Sequence, residues 1–155
     1  MQKPASRSQS KRGALDAESH AEAFQKTRDA RRSELVEDYV ELVAELIDTE
    51  GEARQVEIAR RLGVAQPTVA KMLKRLAEEG LTLQKPYRGV FLTESGRQLA
   101  SECRRRHEIV ESFLRALGVD AEIARHDAEG IEHYVSAETL EVFEEYVARH
   151  RTVTD

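Results

Sequence analysis

Cysteine occurs once in the 155 residues, tryptophan is absent, proline occurs three times, and only 5% of the chain is aromatic. A single cysteine excludes an internal disulfide framework. No apolar run approaches the roughly 18 residues that a membrane-spanning helix needs. The N-terminus lacks the apolar core of a secretory signal, so a soluble, cytoplasmic protein is expected. Nucleophile elbow, Gly-rich phosphate loop and His-Glu-x-x-His zinc motif are all missing, and nothing recommends an enzyme. What is plentiful is charge, at 34% of residues, beside an apolar content of 40%. That balance suits a modest core and long, solvent-washed helices, in one or two small domains.

The chain is organised around Arg54 to Leu92. Val56, Ile58, Ala59 and Leu62 give a short helix an apolar face. Gly63-Val64 supplies a tight corner, where glycine permits left-handed backbone. Pro67 suits the first turn of a second helix, because the N–H it lacks would have no partner there. Val69, Met72, Leu73 and Leu76 repeat at helical spacing, and Gly80 is expected to close that helix. Leu81 to Gln84 and Val90 to Leu92 are strand candidates joined by a Lys-Pro-Tyr-Arg-Gly turn. The fold class is therefore mainly α with a small β-hairpin wing. It comprises a winged helix-turn-helix and, beyond it, a helical dimerisation domain.

Charge supports a DNA-reading role. Residues 54–90 hold eight Lys/Arg against three Asp/Glu, a net +5 in a chain of net −5. Basic groups near phosphates release counterions and supply sequence-independent affinity. Gln66, Pro67, Thr68 and Lys71 open the second helix, the part that reaches base edges in this motif. Lys74 and Arg75 continue its outward face, and Arg88 at the hairpin tip would reach a phosphate or the minor groove. The bland alternative is an ordinary solvated basic face. Ala65 is a local weakness, since alanine cannot cap a helix as serine or threonine would.

Residues 1–17 read as a disordered basic tail. Residues 18–93 make up the winged-helix unit and residues 94–155 the helical region. A helix is expected from about Ser19 to Thr49, with Leu35, Tyr39, Leu42 and Leu46 on one row and Val36, Val40, Val43 and Ile47 on the next. Gly51 should stop it. Thr93 should cap one long helix, or two in line, reaching Gly118. Asp120 should cap a further helix from Ala121 to Tyr134, and Ser136 a last one from Ala137 to about His150. The apolar residues Leu140, Val142, Phe143, Tyr146 and Val147 exceed what so small a region can bury alone. That argues for a homodimer, which suits a palindromic DNA operator with two half-sites.

Three places could bind an ion. Asp38 and Glu41 stand i, i+3 on the first helix, but Glu34, Asp38, Glu41 and Glu45 also read as a solvated acidic stripe, the stronger reading for that helix alone. Glu129, Glu132 and His133 lie i, i+3, i+4 and could grip one side of a divalent ion or form an exposed polar patch. Gly130 within that helix costs about 1 kcal/mol relative to alanine and asks for a reason, such as close approach of another element or a freed carbonyl. His107 follows three arginines. Cys103 and His107 make a poor zinc site without a second ligand pair, so Cys103 is expected to pack as a small apolar residue.

With these pieces in order, the chain resembles the manganese-regulator branch of the diphtheria-toxin-repressor family. The resemblance rests on Glu-Asp-Tyr-Val-Glu at 37–41, the helix at 64–76, Tyr-Arg-Gly-Val-Phe-Leu-Thr at 87–93, Arg-His-Glu-Ile-Val-Glu-Ser-Phe-Leu at 106–114, and Asp-Ala-Glu-Gly-Ile-Glu-His at 127–133. It implies a homodimeric, DNA-binding transcriptional repressor of manganese-uptake genes, activated by Mn²⁺ at a two-metal site in each subunit. The ligands it implies are Asp38, Glu41, His107, Glu129, Glu132 and His133. Iron-responsive relatives carry a cysteine where this chain has Glu129, and a carboxylate there favours a harder ion. An iron-responsive repressor of the same family is the alternative. No third, SH3-like domain of the kind some relatives have is expected here, consistent with the manganese branch. Tyr134 stands where a second histidine often sits, beside the implied ligands. Two rivals remain: a winged-helix regulator sensing a small organic molecule, which requires an apolar pocket, and a di-metal hydrolase, which requires a substrate cleft. With every implied ligand outside 54–92, substitutions in that stretch should weaken DNA binding and spare metal binding.

Overall fold

The computed structural model describes residues 16–150, and most of the predicted basic tail lies outside them. Asp16 closes that tail differently from expectation. Its carboxylate accepts the Ser19 N–H at 2.8 Å and caps α1 (Ala17–Glu50), so the helix starts two residues early. No proline or glycine interrupts α1 over its 34 residues. Its first half has no core-facing apolar stripe, and nearly every side chain there, Phe24 included, is exposed. The second half buries Val36, Tyr39, Val40, Val43 and Leu46, while Leu35, expected on that face, stays 47% exposed. Gly51, at φ 80°, ends the helix as anticipated.

Next come α2 (Gln55–Leu62) and α3 (Gln66–Glu78), joined at Gly63 in left-handed backbone. Ile58, Val69, Leu73 and Leu76 are fully buried, each contributing about 1.5–3 kcal/mol by leaving water. The α3 C-cap is Glu79, with Gly80 following at φ 74°, one residue beyond the cap. Strands β1 (Thr82–Lys85) and β2 (Gly89–Leu92) pair antiparallel, Thr82 opposite Leu92 and Lys85 opposite Gly89. A third short contact braces the wing, where Val90 N–H donates to the Ala53 carbonyl at 2.8 Å. A Cβ on Gly89 would stand 2.5 Å from that same carbonyl oxygen, which explains the glycine.

The wing passes into α4 (Glu94–Ala116) through a tight junction. Thr93 Oγ1 donates to the Gly80 carbonyl at 2.6 Å and accepts the Gly96 N–H at 3.1 Å, and Thr93 N–H donates to the Leu81 carbonyl at 3.0 Å. α4 is one continuous helix and packs against α1, α5 (Ala121–Ile131) and α6 (Ala137–His150). Asp120 and Ser136 cap α5 and α6, as their sequences suggested. Two apolar clusters result. The larger joins α1, α2, α3, the wing and Ala100; the smaller joins Ile109, Val110, Ala128 and Leu140. Phe113 stacks on Phe143 with ring centroids 3.8 Å apart, fixing α4 to α6. Leu117, Ile123 and Val142 stay more than half exposed on this second unit.

One expected boundary fails. α5 ends at Ile131, not Tyr134. The Ser136 cap needs extended backbone, so the chain must leave the helix before it, and Gly130 weakens the last turn. Nothing lies within 4 Å of a Cβ built on Gly130, so close approach of another element is not its reason. Among the described residues, no helix is long and apolar enough to cross a membrane.

Candidate metal centre and nucleic-acid interface

α5 stops at Ile131, but Glu132, its C-cap, keeps helical backbone, so Glu129 and Glu132 still share the side that faces His107. Glu129 stays exposed, Glu132 turns inward, and His133 swings toward α1. Glu132 is 1% exposed. Neither of its carboxylate oxygens has a hydrogen-bond partner among the described residues. Across from it, His107 on α4 presents Nδ1 at 3.5 Å from Glu132 Oε1 and 3.6 Å from Glu129 Oε1. One ligand atom each of His107, Glu129 and Glu132 lies within 4.8 Å of the others.

His133 faces a second group. Its Nε2 is 3.3 Å from Asp38 Oδ1, and its Nδ1 is 2.7 Å from Glu37 Oε2. Glu41 belongs to the same field. Burial pushes its carboxyl up to about 7, and the nearby carboxylates of Glu132 and Glu129 push in the same direction. Hydrogen bonds to Asp38 and Glu37 raise His133 to about 10, against the opposing effect of burial. Burial also raises Glu132. The six residues singled out from the sequence thus stand in one electrostatic neighbourhood, drawn from α1, α4 and the α5 end.

A buried carboxylate without a partner is costly, at about 1–3 kcal/mol, unless a cation or a proton compensates it. The donor set of carboxylates and imidazoles is one that divalent transition ions accept. The residues therefore fit a metal. An open depression of about 520 Å³, lined by Glu34, Asp38, Glu129, Gly130 and His133 among others, reaches the group from outside. The rest of the acidic stripe on α1 is paired. Glu34 accepts from the Tyr134 hydroxyl at 2.6 Å, and Glu45 pairs with Arg61 at 3.0 Å.

Two neighbours escape a reading of the sequence. Glu37 sits between residues read as core and ligand, and only the tertiary fold shows what it meets. Glu111, one turn beyond His107, places Oε2 3.4 Å from His107 Nε2, an i, i+4 relation visible in the sequence. Cys103 is buried and its thiol is pushed up to about 12 by desolvation, so it is inert and packs as expected.

These shifts predict how the metal-free protein responds to pH. Glu41 is raised from 4.5 to about 7, so its stabilising protonation is complete below pH 4.5 and lost as pH rises through 7. For His133, raised from 6.5 to about 10, the contribution holds below 6.5 and is lost through 10. Melting temperature in chelator should therefore fall between about pH 4.5 and 7, where Glu41→Gln should flatten the fall, and fall further towards pH 10 through His133. Parallel curves for parent and variant would contradict the assignment.

The basic face is where the sequence put it. Gln66, Pro67, Thr68, Lys71 and Lys74 are exposed on α3, with Arg75 half-buried. Arg75 pairs with Glu79 at 2.7 Å and Lys74 approaches Glu78 at 3.9 Å, whereas Lys71 makes no ion pair among the described residues. Ala65 provides no side-chain cap for α3. Arg88 is exposed at the wing and sits 5.9 Å from the centre of the Phe91 ring. Beside it, Tyr87 takes φ 64° and projects fully into solvent, a further contact candidate. An apolar groove of about 750 Å³ also lies between α1 and α3, lined by Leu35, Tyr39, Leu62, Val64 and Met72 below a rim that includes Lys71 and Arg75.

Comparison with known proteins matches residues 33–90 to the N-terminal DNA-binding domain of iron-dependent repressors. Residues 93–153 match the metal-binding and dimerisation domain of the same family. The chain is 59% identical over 136 residues to the transcriptional regulator MntR of Escherichia coli O6:H1, covering 88% of each. It is 58% identical over 138 residues to MntR of Salmonella typhimurium, covering 89% of this chain and 88% of that protein. Among solved structures, the manganese regulator SloR superposes with a TM-score of 0.64 at 32% identity, over 73% of this chain. The match spans 53% of the SloR chain, about half of its length.

Proposed function

The chain belongs to the iron-dependent repressor family of metal-responsive, DNA-binding transcriptional regulators, and we propose that within it this protein is a manganese-activated repressor of manganese-uptake genes. The observation that carries the reading is Glu132, a buried carboxylate with no hydrogen-bond partner, held beside His107 and Glu129 in a chain whose other half is a winged helix. Asp38, Glu41, His107, Glu129, Glu132 and His133 are the proposed ligands, for two ions per subunit. Bound divalent cations would supply the positive charge that lets these carboxylates stay ionised side by side. Glu129 in place of a thiolate favours Mn²⁺ over softer ions, while the affinity order alone favours zinc, so selectivity rests on geometry and supply.

Residues 18–93 act as the reader and residues 94–155 as the sensor and dimer interface, with Leu117, Ile123 and Val142 available for the partner. The dimer meets a palindromic operator in the cytoplasm through Gln66, Pro67, Thr68, Lys71, Lys74, Arg75 and Arg88. Asp38 and Glu41 lie on α1 and the other ligands on the dimerisation unit, so holding all six together fixes how the reader sits on the sensor. Metal binding and DNA binding are then linked, and the linkage is reciprocal.

Gel shifts on the promoter of a manganese-uptake gene test this. Mn²⁺ should promote binding, EDTA should abolish it, and His107→Ala or Glu129→Ala should remove the response. Lys71→Ala should weaken DNA binding with Mn²⁺ uptake unchanged. Operator binding indifferent to chelator and to both ligand variants would overturn the proposal. Stronger activation by Fe²⁺ than by Mn²⁺ would favour the iron-responsive alternative. The groove between α1 and α3 meets the requirement of a small-molecule regulator, and equilibrium dialysis separates that reading, which expects no bound Mn²⁺.

A further inference from the structure

We infer that Glu37, outside the six proposed ligands, is the positioning residue that aims His133 into the metal centre and ties its orientation to Arg106; this rests on the metal-binding reading above. Glu37, His133 and Arg106 come from three separate elements: α1, the turn after α5, and α4. One oxygen, Glu37 Oε2, takes both neighbours, with Arg106 Nη2 at 2.6 Å and His133 Nδ1 at 2.7 Å. All three side chains are largely out of solvent, at 15% exposed for Glu37, 2% for His133 and 20% for Arg106. Charge-assisted bonds of this length are strong and directional where water is excluded.

The geometry assigns the two ring nitrogens. Nδ1–H donates to Glu37, which leaves Nε2 turned to Asp38 at 3.3 Å. A ligating imidazole commonly gives its other N–H to a carboxylate, and that outer bond sets the ring angle and raises ligand basicity. Glu37 stands in that outer place. Its Oε2 is already shared between a guanidinium and the His133 ring. Arg106 holds Glu37 Oε2 in place, and it immediately precedes His107. The two histidines of the centre are thereby referenced to each other through α1 and α4.

A double-mutant cycle on the full chain tests this, with Mn²⁺ affinity and stoichiometry measured by equilibrium dialysis up to millimolar metal. Glu37→Ala should weaken the affected site by about 10–100-fold. In a His133→Ala background the same substitution should change affinity less than about twofold, because the residue it acts through is gone. Glu37→Gln, which retains an acceptor and packs alike, carries the same cycle should the alanine variant fail to fold. Equal losses in both backgrounds would mean that Glu37 only holds α1 in place, and would overturn the inference. Loss of one bound ion per subunit with His133 intact would make Glu37 a ligand and overturn it equally. No loss with His133 intact would do so as well. A parent protein that takes up no Mn²⁺ is a different result, and it removes the metal reading itself.

Discussion

Replacing Glu132 with methionine should make the metal-free protein more stable and leave it unable to answer Mn²⁺. Glu132 is buried, its two oxygens lack hydrogen bonds, and the carboxylates of Glu41 and Glu129 share its surroundings. Methionine has similar length and no polar atom to satisfy. Removing an unsatisfied buried carboxyl relieves about 1–3 kcal/mol. At about 2–4 °C per kcal/mol for a protein of this size, melting in chelator should rise by several degrees. The opposite holds with metal. A direct ligand should cost more than the 10–100-fold typical of outer partners, so Mn²⁺ should no longer raise the melting temperature or promote operator binding. Differential scanning fluorimetry with and without Mn²⁺ reads both arms. A lower melting temperature in chelator would show instead that Glu132 stabilises the metal-free fold.

Gly96→Ala should be among the most damaging single-methyl additions available. A Cβ at position 96 would fall onto the Leu81 carbonyl and lie 3.3 Å from Leu92 Cβ. Both obstacles belong to the wing, and the Leu81 carbonyl also accepts the Thr93 N–H. Backbone cannot swing aside as a long side chain can, so α4 must lift from the hairpin. Such overpacking costs about 3 kcal/mol, or about 6–12 °C in melting temperature. Gly130→Ala is the matched control. It adds the same methyl where nothing lies within 4 Å, and helix propensity alone should make it neutral or stabilising by up to about 1 kcal/mol. Similar melting temperatures for the two variants would dismiss the junction as a point of strain.

Local features of the fold are legible in the chain itself. The Thr93, Asp120 and Ser136 caps, the Gly63 corner and the apolar period of α3 act over a few residues, so their spacing carries them. Tertiary competition is not legible in that way. The sequence through Tyr134 keeps a helical pattern with no proline to stop it, and the need to start α6 at Ser136, with Gly130 weakening the last turn, ends α5 early. The same limit applies to the site. Asp38 and Glu41 look equally like a solvated stripe, because what faces them comes from residues far along the chain, such as His133 opposite Asp38. The family resemblance points to that neighbourhood, yet Glu37 stays inconspicuous between Val36 and Asp38. Its role depends on Arg106 and His133 arriving from other elements.

The second half of α1 carries two duties on one rod. Val36, Val40 and Val43 are seated in the core of the DNA reader, and Glu37, Asp38 and Glu41 look into the ion-binding group. No hinge separates them, since the helix runs unbroken from Ala17 to Glu50. Neighbouring positions on such a rod differ by 1.5 Å of rise and about 100° of turn. A shift of Asp38 along the axis is therefore a shift of Val40 by the same amount, delivered without slack. On the metal-activated reading proposed above, α1 would be the drive shaft, and the sensor would need no separate messenger to move the reader.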